Sequence, residues 1–403
     1  MANLLYLVHR MPYPPDKGDK VRSYHLLRHL QQQHRVFLAT FIDDPADEQH
    51  LPALRELCPD LYVARIAPRW RKLASARALL TGEAQSIAYY RDAGLRRWVQ
   101  DIAARHELLA SVVFSSTMAP YAHDLLPRVP MLVDLVDVDS AKWTQYAAAR
   151  PWPLSWVYRR EGQRLLQHER DMALAARRSF LVTQQEVDLF ASLAPECRDA
   201  VEVGANGVDA ERFQPDEALA SPFGADERAI VFTGAMDYWP NVDAVQWFAS
   251  EVLPRVRERE PRASFWIVGR NPTAAVQALA SDTVHVTGTV AQVEPYLQHA
   301  AAVVAPLRVA RGIQNKILEA MAMGQPVVTV PSCAVPIGAD AEQGLRCADD
   351  AAGFAEVVLH WLADPAARRQ QGQRAREHVL RHFSWEANLD RLQAWLPPTL
   401  ERA

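Results

Sequence analysis

The sequence predicts an α/β protein built from two parallel sheets, each flanked by helices. Short apolar runs alternate with amphipathic stretches from end to end, as strands do when they alternate with helices. The same rhythm starts again near residue 229, after a stretch that contains Pro, Gly and Ala. We therefore expect two Rossmann-like domains of similar size, joined by a linker, with helices left over at the carboxyl end.

Each predicted domain has its own strands and helices. In the first half, strands are predicted at 3–8, 35–42, 60–66, 111–115, 130–135 and 179–183, and helices at 20–32, 91–106, 119–126 and 155–176. In the second half, strands are predicted at 229–233, 263–268, 284–287, 302–305 and 326–330, and helices at 241–258, 273–280, 292–299, 314–323 and 351–363.

A hinge is predicted at 204–227. Asn206-Gly207 is typical of a tight turn with positive φ, and Pro-containing sequence follows it. This hinge divides the chain into a first domain over 1–203, a second domain over 228–372 and terminal helices over 373–403.

The charge distribution is uneven along the 403 residues. Residues 1–180 hold 25 Lys and Arg against 19 Asp and Glu, whereas the remainder holds 19 against 29. A basic half beside an acidic half argues against nucleic acid as the partner of the whole chain. The basic half is better suited to an anionic membrane or an anionic acceptor.

Two basic stretches also contain aromatic side chains, as segments at a lipid headgroup interface do. One stretch comprises Arg69, Trp70, Arg71, Lys72 and Arg77, and the other comprises Trp152, Trp156, Tyr158, Arg159, Arg160 and Arg164. A solvated helix face with some aromatic side chains tucked into the core accounts for both stretches at least as well.

No stretch has the features of a signal peptide or of a membrane-spanning helix, so we expect a cytoplasmic protein. The four cysteines show no spacing typical of metal ligands, and we expect no metal site. Sequence motifs of dinucleotide-binding dehydrogenases, P-loop kinases and α/β-hydrolases are also missing, which argues against those activities.

The stretch from residue 311 to 330 predicts a loop, a short helix, a turn and a buried strand. Its apolar side chains recur at helical spacing, at Ile317, Leu318, Met321 and Ala322. Lys316 and Glu319 are three residues apart on one face, beside the amides of residues 312–315 at the positive end of the helix. This arrangement predicts a cradle for a pyrophosphate, with a carboxylate placed to accept two hydrogen bonds from a ribose.

The first βα connection predicts a second ligand-binding loop. Prolines stiffen it, and Gly18 lets the backbone approach a ligand just before a helix N-terminus. Ligands of open α/β sheets lie at the carboxyl ends of strands, which is where this loop begins. The alternative is a rigid surface loop and a capped helix.

Three carboxylates, those of Asp134, Asp137 and Asp139, follow an apolar run that predicts a buried strand. They could form a metal site, but no further ligand at suitable spacing supports one. A carboxylate that caps the next helix at Ser140 is an alternative. Farther along, Gly234 follows another predicted strand, and Asn241 is predicted to cap the helix after it.

Two motifs resemble those of glycosyltransferase family 4, the retaining GT-B enzymes that use nucleotide-diphosphate sugars. Residues 311–330 are similar to the donor-sugar motif, and residues 201–215, with Asn206-Gly207-Val208-Asp209 and Arg212-Phe213, are similar to the interdomain signature. The resemblance spans nearly the whole chain. It implies two Rossmann-like parallel-sheet domains that face a central cleft, with the C-terminal helices crossing back to the first domain.

The resemblance also implies roles for individual residues. Donor binding is implied for Gly18, Gly234, Gly269, Arg270, Gly288, Thr289, Val290, Arg308, Arg311, Gly312, Ile313, Gln314, Asn315, Lys316 and Glu319. The acceptor side is implied for His9, Asp16, Lys17, Ser115, Ser116, Asp137 and Asp139, and the hinge for Asn206 and Gly207. Arg308 and Lys316 are the predicted catalytic cations, which stabilise the leaving diphosphate. Asp137 or Asp139 is predicted to hold or deprotonate an acceptor hydroxyl.

The chain departs from the family pattern at three places. The first loop has one glycine where many members have two, and an Arg and a Lys usual near 236–241 are missing. Arg311 also stands where the first Glu of the E-x7-E motif is usual. We expect Arg308 and Arg311, with Lys316, to replace the missing cations, and we expect altered sugar recognition.

Within family 4, residues 12–23, 232–241 and 306–316 resemble sugar transferases of bacterial PEP-CTERM-associated exopolysaccharide loci. This resemblance implies transfer from a UDP- or GDP-sugar to a lipid-linked saccharide at the inner membrane face, without a cofactor. The alternatives are a nucleotide-sugar 2-epimerase, a non-catalytic GT-B partner that binds the nucleotide sugar, and a purely structural α/β protein.

Overall fold

The computed structural model describes residues 1–15, 18–66, 78–148, 150–309 and 313–398, and the chain divides into two compact units. The first unit comprises Met1–Ala205 together with the described residues from Asn388 onward, and the second comprises Asn206–Ala387. Some residues for which the sequence predicts a role in binding lie outside the described residues, namely 16, 17, 69–72, 77, 311 and 312.

The first unit is organised around a parallel sheet of seven strands, in the order β3-β2-β1-β4-β5-β6-β7. The strands are β1 (Ala2–Val8), β2 (His34–Ile42), β3 (Leu61–Arg65), β4 (Leu108–Phe114), β5 (Met131–Val136), β6 (Arg178–Leu181) and β7 (Val201–Val203). The central strands β1, β4 and β5 are almost wholly buried, because helices cover a parallel sheet on both faces.

Helices connect these strands. They are α1 (Gly18–Gln33), α2 (Leu51–Leu57), α3 (Ala78–Thr81), α4 (Gln85–Tyr89), α5 (Ala93–Arg105), α6 (Ala119–His123), α7 (Asp139–Ala148), α8 (Leu154–Ala175) and α9 (Gln184–Leu193). Short 3₁₀ helices lie at Pro45–His50, Ser116–Met118 and Pro195–Ala200.

The second unit repeats the design with six parallel strands, in the order β10-β9-β8-β11-β12-β13. The strands are β8 (Arg228–Thr233), β9 (Ala263–Val268), β10 (Val284–Gly288), β11 (Ala302–Ala305), β12 (Val327–Thr329) and β13 (Leu345–Cys347). The helices are α10 (Trp239–Trp247), α11 (Leu253–Arg259), α12 (Ala274–Gln277), α13 (Glu294–Gln298), α14 (Asn315–Ala322), α15 (Pro331–Ala334), α16 (Ala351–Ala363) and α17 (Pro365–His382). The last helix, α18 (Trp385–Gln393), begins in the second unit and ends in the first. A π-helical turn, Phe248–Val252, joins α10 to α11, and a 3₁₀ turn, Val335–Ile337, follows α15.

The strand order reverses once in each sheet, between β1 and β4 and between β8 and β11. Ligands of open α/β sheets bind outside the carboxyl ends of the strands at such a switch point. The prediction of two Rossmann-like parallel-sheet domains is therefore confirmed, and each sheet has one edge where a ligand site is expected.

The last described residues belong to the first unit, whereas α17 belongs to the second. Gln393 donates to the side chain of Gln33, with Nε2 and Oε1 2.6 Å apart, and the guanidinium of Arg178 lies 3.7 Å above the Trp395 ring. Hydrogen bonding and a cation–π contact thus attach the end of the chain to the first sheet and its helix α1.

The prediction of positive φ at Asn206-Gly207 is wrong, because neither residue has a positive φ. Gly207 is required for a different reason: a Cβ at this position would lie 2.6 Å from the Trp385 ring. The chain passes close to α18 here, and Val208 donates its N–H to the carbonyl of Phe383.

None of the helices in the described ranges combines the length and the apolar character needed to cross a bilayer.

A buried ion pair links α1 to β5 in the first unit. Arg22 donates from Nε and Nη2 to the two carboxylate oxygens of Asp134, at 2.7 and 3.1 Å, and from Nη1 to the carbonyl of Ala205. Both side chains are almost completely buried. Burial raises the pKa of Asp134, and the Arg22 guanidinium opposes that shift.

We expect Asp134→Ala to lower the free energy of unfolding by about 3–5 kcal/mol, because it leaves the Arg22 charge buried without its carboxylate. Asp60→Ala is the matched control. Asp60 accepts from Nε and Nη2 of Arg35 at 2.7 and 3.0 Å, but on the surface, where an ion pair contributes little. Urea unfolding of both variants measures the difference, and equal losses would contradict a special role for the buried pair.

Candidate functional site

Two glycine turns meet at the carboxyl edge of the second sheet. Gly234 follows β8 and Gly269 follows β9, with φ of +158° and +150°. A Cβ on Gly269 would lie 1.7 Å from the carbonyl oxygen of Gly234, so no other residue fits at 269 unless one turn moves. The backbones of the two turns are therefore in direct contact, and the space beside Gly234 stays open to a neighbouring side chain.

The side chain that occupies this space is that of Lys316, from the first turn of α14. Its Nζ donates to Oδ1 of Asn241 at 2.6 Å and lies 4.1 Å from the centre of the Phe232 ring. Asn241 is held in turn by a hydrogen bond from its Nδ2 to the carbonyl of Ala235. A Cβ on Gly234 would come within 2.9 Å of Nζ and 2.8 Å of Nδ2.

The ammonium of Lys316 is poorly compensated in this position. Burial lowers its pKa to about 7, while the carboxyl of Glu319 opposes the shift. Its hydrogen-bond partner in the described part of the chain is the neutral amide of Asn241. An anion placed here would favour the charged form of Lys316.

Asn241 was predicted to cap α10, and this prediction is wrong. The helix begins at Trp239, with Tyr238 at the N-cap and no side-chain capping bond, so Asn241 lies within the first turn. Its amide positions Lys316 instead. Sequence reasoning missed this role because the partner is 75 residues away along the chain.

A second cation, Arg308, is also held by α10. Arg308 follows β11, donates from Nη2 and Nε to Asp243 at 2.7 and 3.2 Å, and lies over the Trp247 ring. Its side chain is 44% exposed. One helix therefore supplies partners for both predicted catalytic cations, and the Arg308 charge is already partly balanced by a carboxylate.

Glu319 lies one turn after Lys316, near Arg212 and Glu294. Burial raises the pKa of Glu319 to about 7, Arg212 and Lys316 oppose this shift, and Glu294 adds to it. Arg212 forms an ion pair with Glu294, and its N–H donates to the side chain of Asp209. The sequence signature with Asp209 and Arg212 thus has a physical basis: its turn places a guanidinium beside two carboxyl groups. Arg212 and Glu294 were missed as site residues.

The other predicted donor-binding residues that the structure describes in the second unit have the following surroundings. The Arg270 carbonyl accepts from the N–H of Met236, Gly288 ends β10 with φ +67°, Thr289 is exposed and Val290 packs against the core. Ile313 also packs against the core, Gln314 is the N-cap of α14, and Asn315 is its first residue.

The predicted acceptor residues that the structure describes follow the central strands β1, β4 and β5 along the chain. His9 follows β1, stacks on Phe114 and meets Tyr90 edge-on, with ring centroids 5.8 and 5.6 Å apart. Its Nε2 is 3.7 Å from the Asp19 carboxylate, and its Nδ1 has no hydrogen-bond partner among the residues that the structure describes. Burial lowers the pKa of His9, and Asp19 opposes the shift.

Asp137 and Asp139 are brought together by a lysine. Nζ of Lys142 donates to Asp137 at 2.8 Å and to Asp139 at 3.0 Å. Burial lowers the pKa of Lys142, but Asp139 and Asp137 together raise it above its ordinary range. Both carboxylates are therefore already engaged with a cation.

Ser115 follows β4 with a φ of +75°, and its Oγ lies 3.0 Å from that of Thr117. The Ser116 carbonyl is 2.9 Å from Nε2 of His168. Gly18 begins α1, and a Cβ there would meet no atom within 4 Å.

For the residues described, no group of three or more His, Cys, Asp and Glu side chains is arranged to hold a metal ion.

Residues 227–364 match the family model described as Glycosyl transferases group 1. Gly234, Asn241, Lys316 and Glu319 all lie within the residues that this family model matches. A search of curated protein sequences returned no match.

Solved structures share the fold over nearly the whole chain. A sucrose-phosphate synthase from Thermosynechococcus elongatus has a TM-score of 0.70 at 17% identity and covers 98% of both chains. Anabaena HepE, in complex with UDP and glucose, has a TM-score of 0.68 at 14% identity over 98% of this chain and 99% of that chain. WaaG, a glycosyltransferase involved in lipopolysaccharide biosynthesis, has a TM-score of 0.66 at 14% identity over the same shares. The fold is that of GT-B glycosyltransferases. This fold and the family-model match over residues 227–364 together support a glycosyltransferase of the GT-B type.

We expect Lys316→Met to raise the free energy of unfolding most at pH 6 and progressively less towards pH 9.5. In the unfolded chain a lysine keeps its proton up to about pH 10.5, whereas burial lowers the folded pKa to about 7. Between these values the unfolded state binds more protons, so the stability of the unmodified protein rises with pH. Urea unfolding across this pH range measures the effect.

Lys142→Met is the control with the opposite sign. Because the folded pKa of Lys142 is raised, its stabilisation is fully present below pH 10.5. We expect this variant to lose stability by about the same amount at every pH from 6 to 9.5. A pH-independent effect of Lys316→Met would contradict the assignment of a desolvated ammonium at 316.

Proposed function

We propose that the chain is a retaining, metal-independent glycosyltransferase that transfers a sugar from a nucleotide-diphosphate donor to a saccharide acceptor. The observation that carries this proposal is the half-buried ammonium of Lys316, held by the neutral amide of Asn241 beside Gly234 inside a group 1 glycosyltransferase domain. A bound diphosphate would give this ammonium a negatively charged partner.

The donor diphosphate lies at the carboxyl edge of the second sheet. Lys316 binds it directly, and Arg308, whose side chain is nearly half exposed, leaves Asp243 or shares its guanidinium with the phosphate. Charge develops on the diphosphate as the glycosidic bond breaks. Fixed cations at this point stabilise the transition state more than the ground state, which is the main catalytic requirement.

The nucleoside lies on the other side of Lys316. Glu319 accepts hydrogen bonds from the two ribose hydroxyls, and the backbone of Gly288–Val290 contacts the base. Binding requires the carboxylate form of Glu319, and Arg212 beside it favours that form. UDP-glucose is the first donor to test, since HepE was solved with UDP and glucose. GDP-sugars form the second group.

Retention of the anomeric configuration follows if the acceptor attacks from the face that the diphosphate leaves. Such a reaction needs no protein nucleophile, and the described site residues of the second unit are suited to binding the departing phosphate. Asp137 and Asp139 are the proposed residues that hold the acceptor hydroxyl. Because both carboxylates are paired with Lys142, they are suited to accepting a hydrogen bond in a fixed geometry rather than to acting as strong bases.

The proposed acceptor is a lipid-linked saccharide at the cytoplasmic face of the inner membrane, in exopolysaccharide synthesis of the PEP-CTERM-associated type. The resemblance of residues 12–23, 232–241 and 306–316 supports this part of the proposal.

A second candidate is a GT-B protein that binds a nucleotide sugar without turning it over. Its support is the pairing of Arg308 with Asp243, which weakens one of the two cations, and the Arg at 311 where a Glu is usual. Radiolabelled UDP-sugars and GDP-sugars incubated with lipid-linked saccharides distinguish the two. Transfer supports the enzyme, and tight binding with neither transfer nor donor hydrolysis supports the binding protein.

We expect Lys316→Met to weaken UDP-glucose binding by on the order of 10–100-fold, because it removes a charge-assisted hydrogen bond to phosphate. Lys142→Met removes the same charge from the first unit and should leave the affinity for the donor unchanged. Calorimetric titration at pH 6.5, where Lys316 is mostly protonated, measures both. Unchanged affinity in Lys316→Met would exclude the assigned role.

Glu319→Gln tests the ribose contact separately. We expect it to weaken UDP-glucose binding by roughly tenfold or more, while inorganic pyrophosphate binds as it does to the unmodified protein. The amide keeps the size of the side chain but offers a donor where the ribose hydroxyls need an acceptor. Equal losses for both ligands would indicate that the substitution disturbs α14 rather than a ribose site.

A further inference from the structure

The turn between α7 and α8 exposes four large apolar side chains. Trp152 is 81% exposed, Trp156 51%, Tyr146 48% and Leu154 47%. We call residues 146–148 and 150–159 the hairpin tip. Single exposed apolar residues are ordinary, but four within eleven positions of one turn form a patch, and such patches mark interaction surfaces.

The charges around the hairpin tip have one sign. Arg150, Arg159 and Arg164 are exposed, and the guanidinium group of each is without an ion-pair or hydrogen-bond partner in the described parts of the chain. The acidic residues between 140 and 170 are Glu161 and Glu169, and both are buried. The surface of the tip therefore combines aromatic side chains with uncompensated positive charge.

Both buried carboxylates are already used to fix the hairpin. Glu161 accepts from the N–H groups of Gln85 and Ser86 at the start of α4, and Glu169 accepts from the hydroxyl of Ser140 at the start of α7. Neither carboxylate is exposed beside the arginines.

The two helices that carry the tip are in close contact. A Cβ on Gly162 would lie 2.5 Å from Oγ1 of Thr144 and 2.9 Å from the carbonyl of Ser140. Trp143 fills the space below, against Tyr158 and a small core that contains Ile87 and Leu165. These contacts fix α7 and α8 against each other beneath the tip.

We propose that the hairpin tip docks on an anionic lipid bilayer. Tryptophan and tyrosine rings favour the headgroup region, where the ring is buried and its polar atom stays hydrated. Arginines around them are attracted to anionic headgroups, and the lack of exposed carboxylates removes the repulsion that a neutral or acidic surface would have. A protein partner would need acidic groups to match the arginines, whereas the bilayer supplies both the apolar depth and the charge.

This docking is independent of glycosyl transfer, and it would hold for a donor-binding protein as well. It gives the surface by which the chain reaches a lipid-linked acceptor if the proposed function is correct. The proposed docking surface includes residues of the second basic and aromatic stretch of the sequence, Trp152 to Arg164.

Cosedimentation with vesicles of 30% phosphatidylglycerol in phosphatidylcholine tests the proposal, with pure phosphatidylcholine vesicles as the reference. We expect Arg150→Gln, Arg159→Gln and Arg164→Gln together to lower the partition coefficient on the order of a hundredfold, about fivefold for each arginine. Trp152→Ser with Trp156→Ser should lower it on the order of tenfold or more on both kinds of vesicle.

Two controls test whether the location of the replaced residues matters, or only their number and type. Arg28→Gln, Arg128→Gln and Arg198→Gln remove three exposed arginines from the same unit, and Trp239→Ser removes a tryptophan that is 55% exposed in the second unit. Both controls should bind vesicles within about twofold of the unmodified protein. The affinity for UDP-glucose in solution should be the same for all these variants. The donor titration therefore tests the proposed function independently of the vesicle assay, which tests membrane docking.

Three results would overturn the proposal. One is the lack of binding to anionic vesicles, and another is an equal loss in the control with three distant arginines replaced. The third is a dimer, seen by sedimentation velocity, that becomes a monomer in Trp152→Ser/Trp156→Ser while vesicles remain unbound; the occupant of the tip would then be a second copy of the chain.

Discussion

The hydrogen bond between the Lys316 ammonium and the Asn241 amide is the interaction on which the proposed site depends. It joins α14 to α10 across the carboxyl edge of the second sheet, and it requires glycine at 234, where a Cβ would crowd both partners. Gly234 in turn lies against Gly269, which fixes the turns after two neighbouring strands. Two strands, two helices and one cation are therefore coupled, and the cation faces the place where ligands of open α/β sheets bind.

Burial acts on Lys316 and Glu319 in opposite directions. It lowers the pKa of the amine and raises the pKa of the carboxyl, so both titrate near neutral pH in the free protein. A donor that brings a diphosphate to one group and ribose hydroxyls to the other stabilises both charged forms at once. The same residues would be an unfavourable arrangement in a purely structural protein, because their attraction for each other and for Arg212 offsets only part of their desolvation.

Periodicity predicted the buried strands well, because a helix-covered parallel strand is an unbroken apolar run. It missed β7 and β13, three-residue edge strands that are too short to carry a pattern. The failures at the site have one cause. Asn241 as a partner of Lys316, Arg212 beside Glu319, and Gly207 against Trp385 are contacts between residues far apart in the sequence, where local turn and capping preferences predict something else. Lys316 and Glu319 themselves were predictable, because their three-residue spacing on a helix start is a local feature.

The chain has five lysines, so the ammonium of Lys316 can be observed directly by NMR of a protein labelled at the lysine side chains. A pH titration in the absence and presence of saturating UDP-glucose is the most direct measurement, with the Lys316→Met spectrum as the assignment. The account predicts a pKa of about 7 in the free protein, and a rise of roughly two units or more when the diphosphate is bound. A pKa that is ordinary in the free protein, or unmoved by the bound donor, would contradict it.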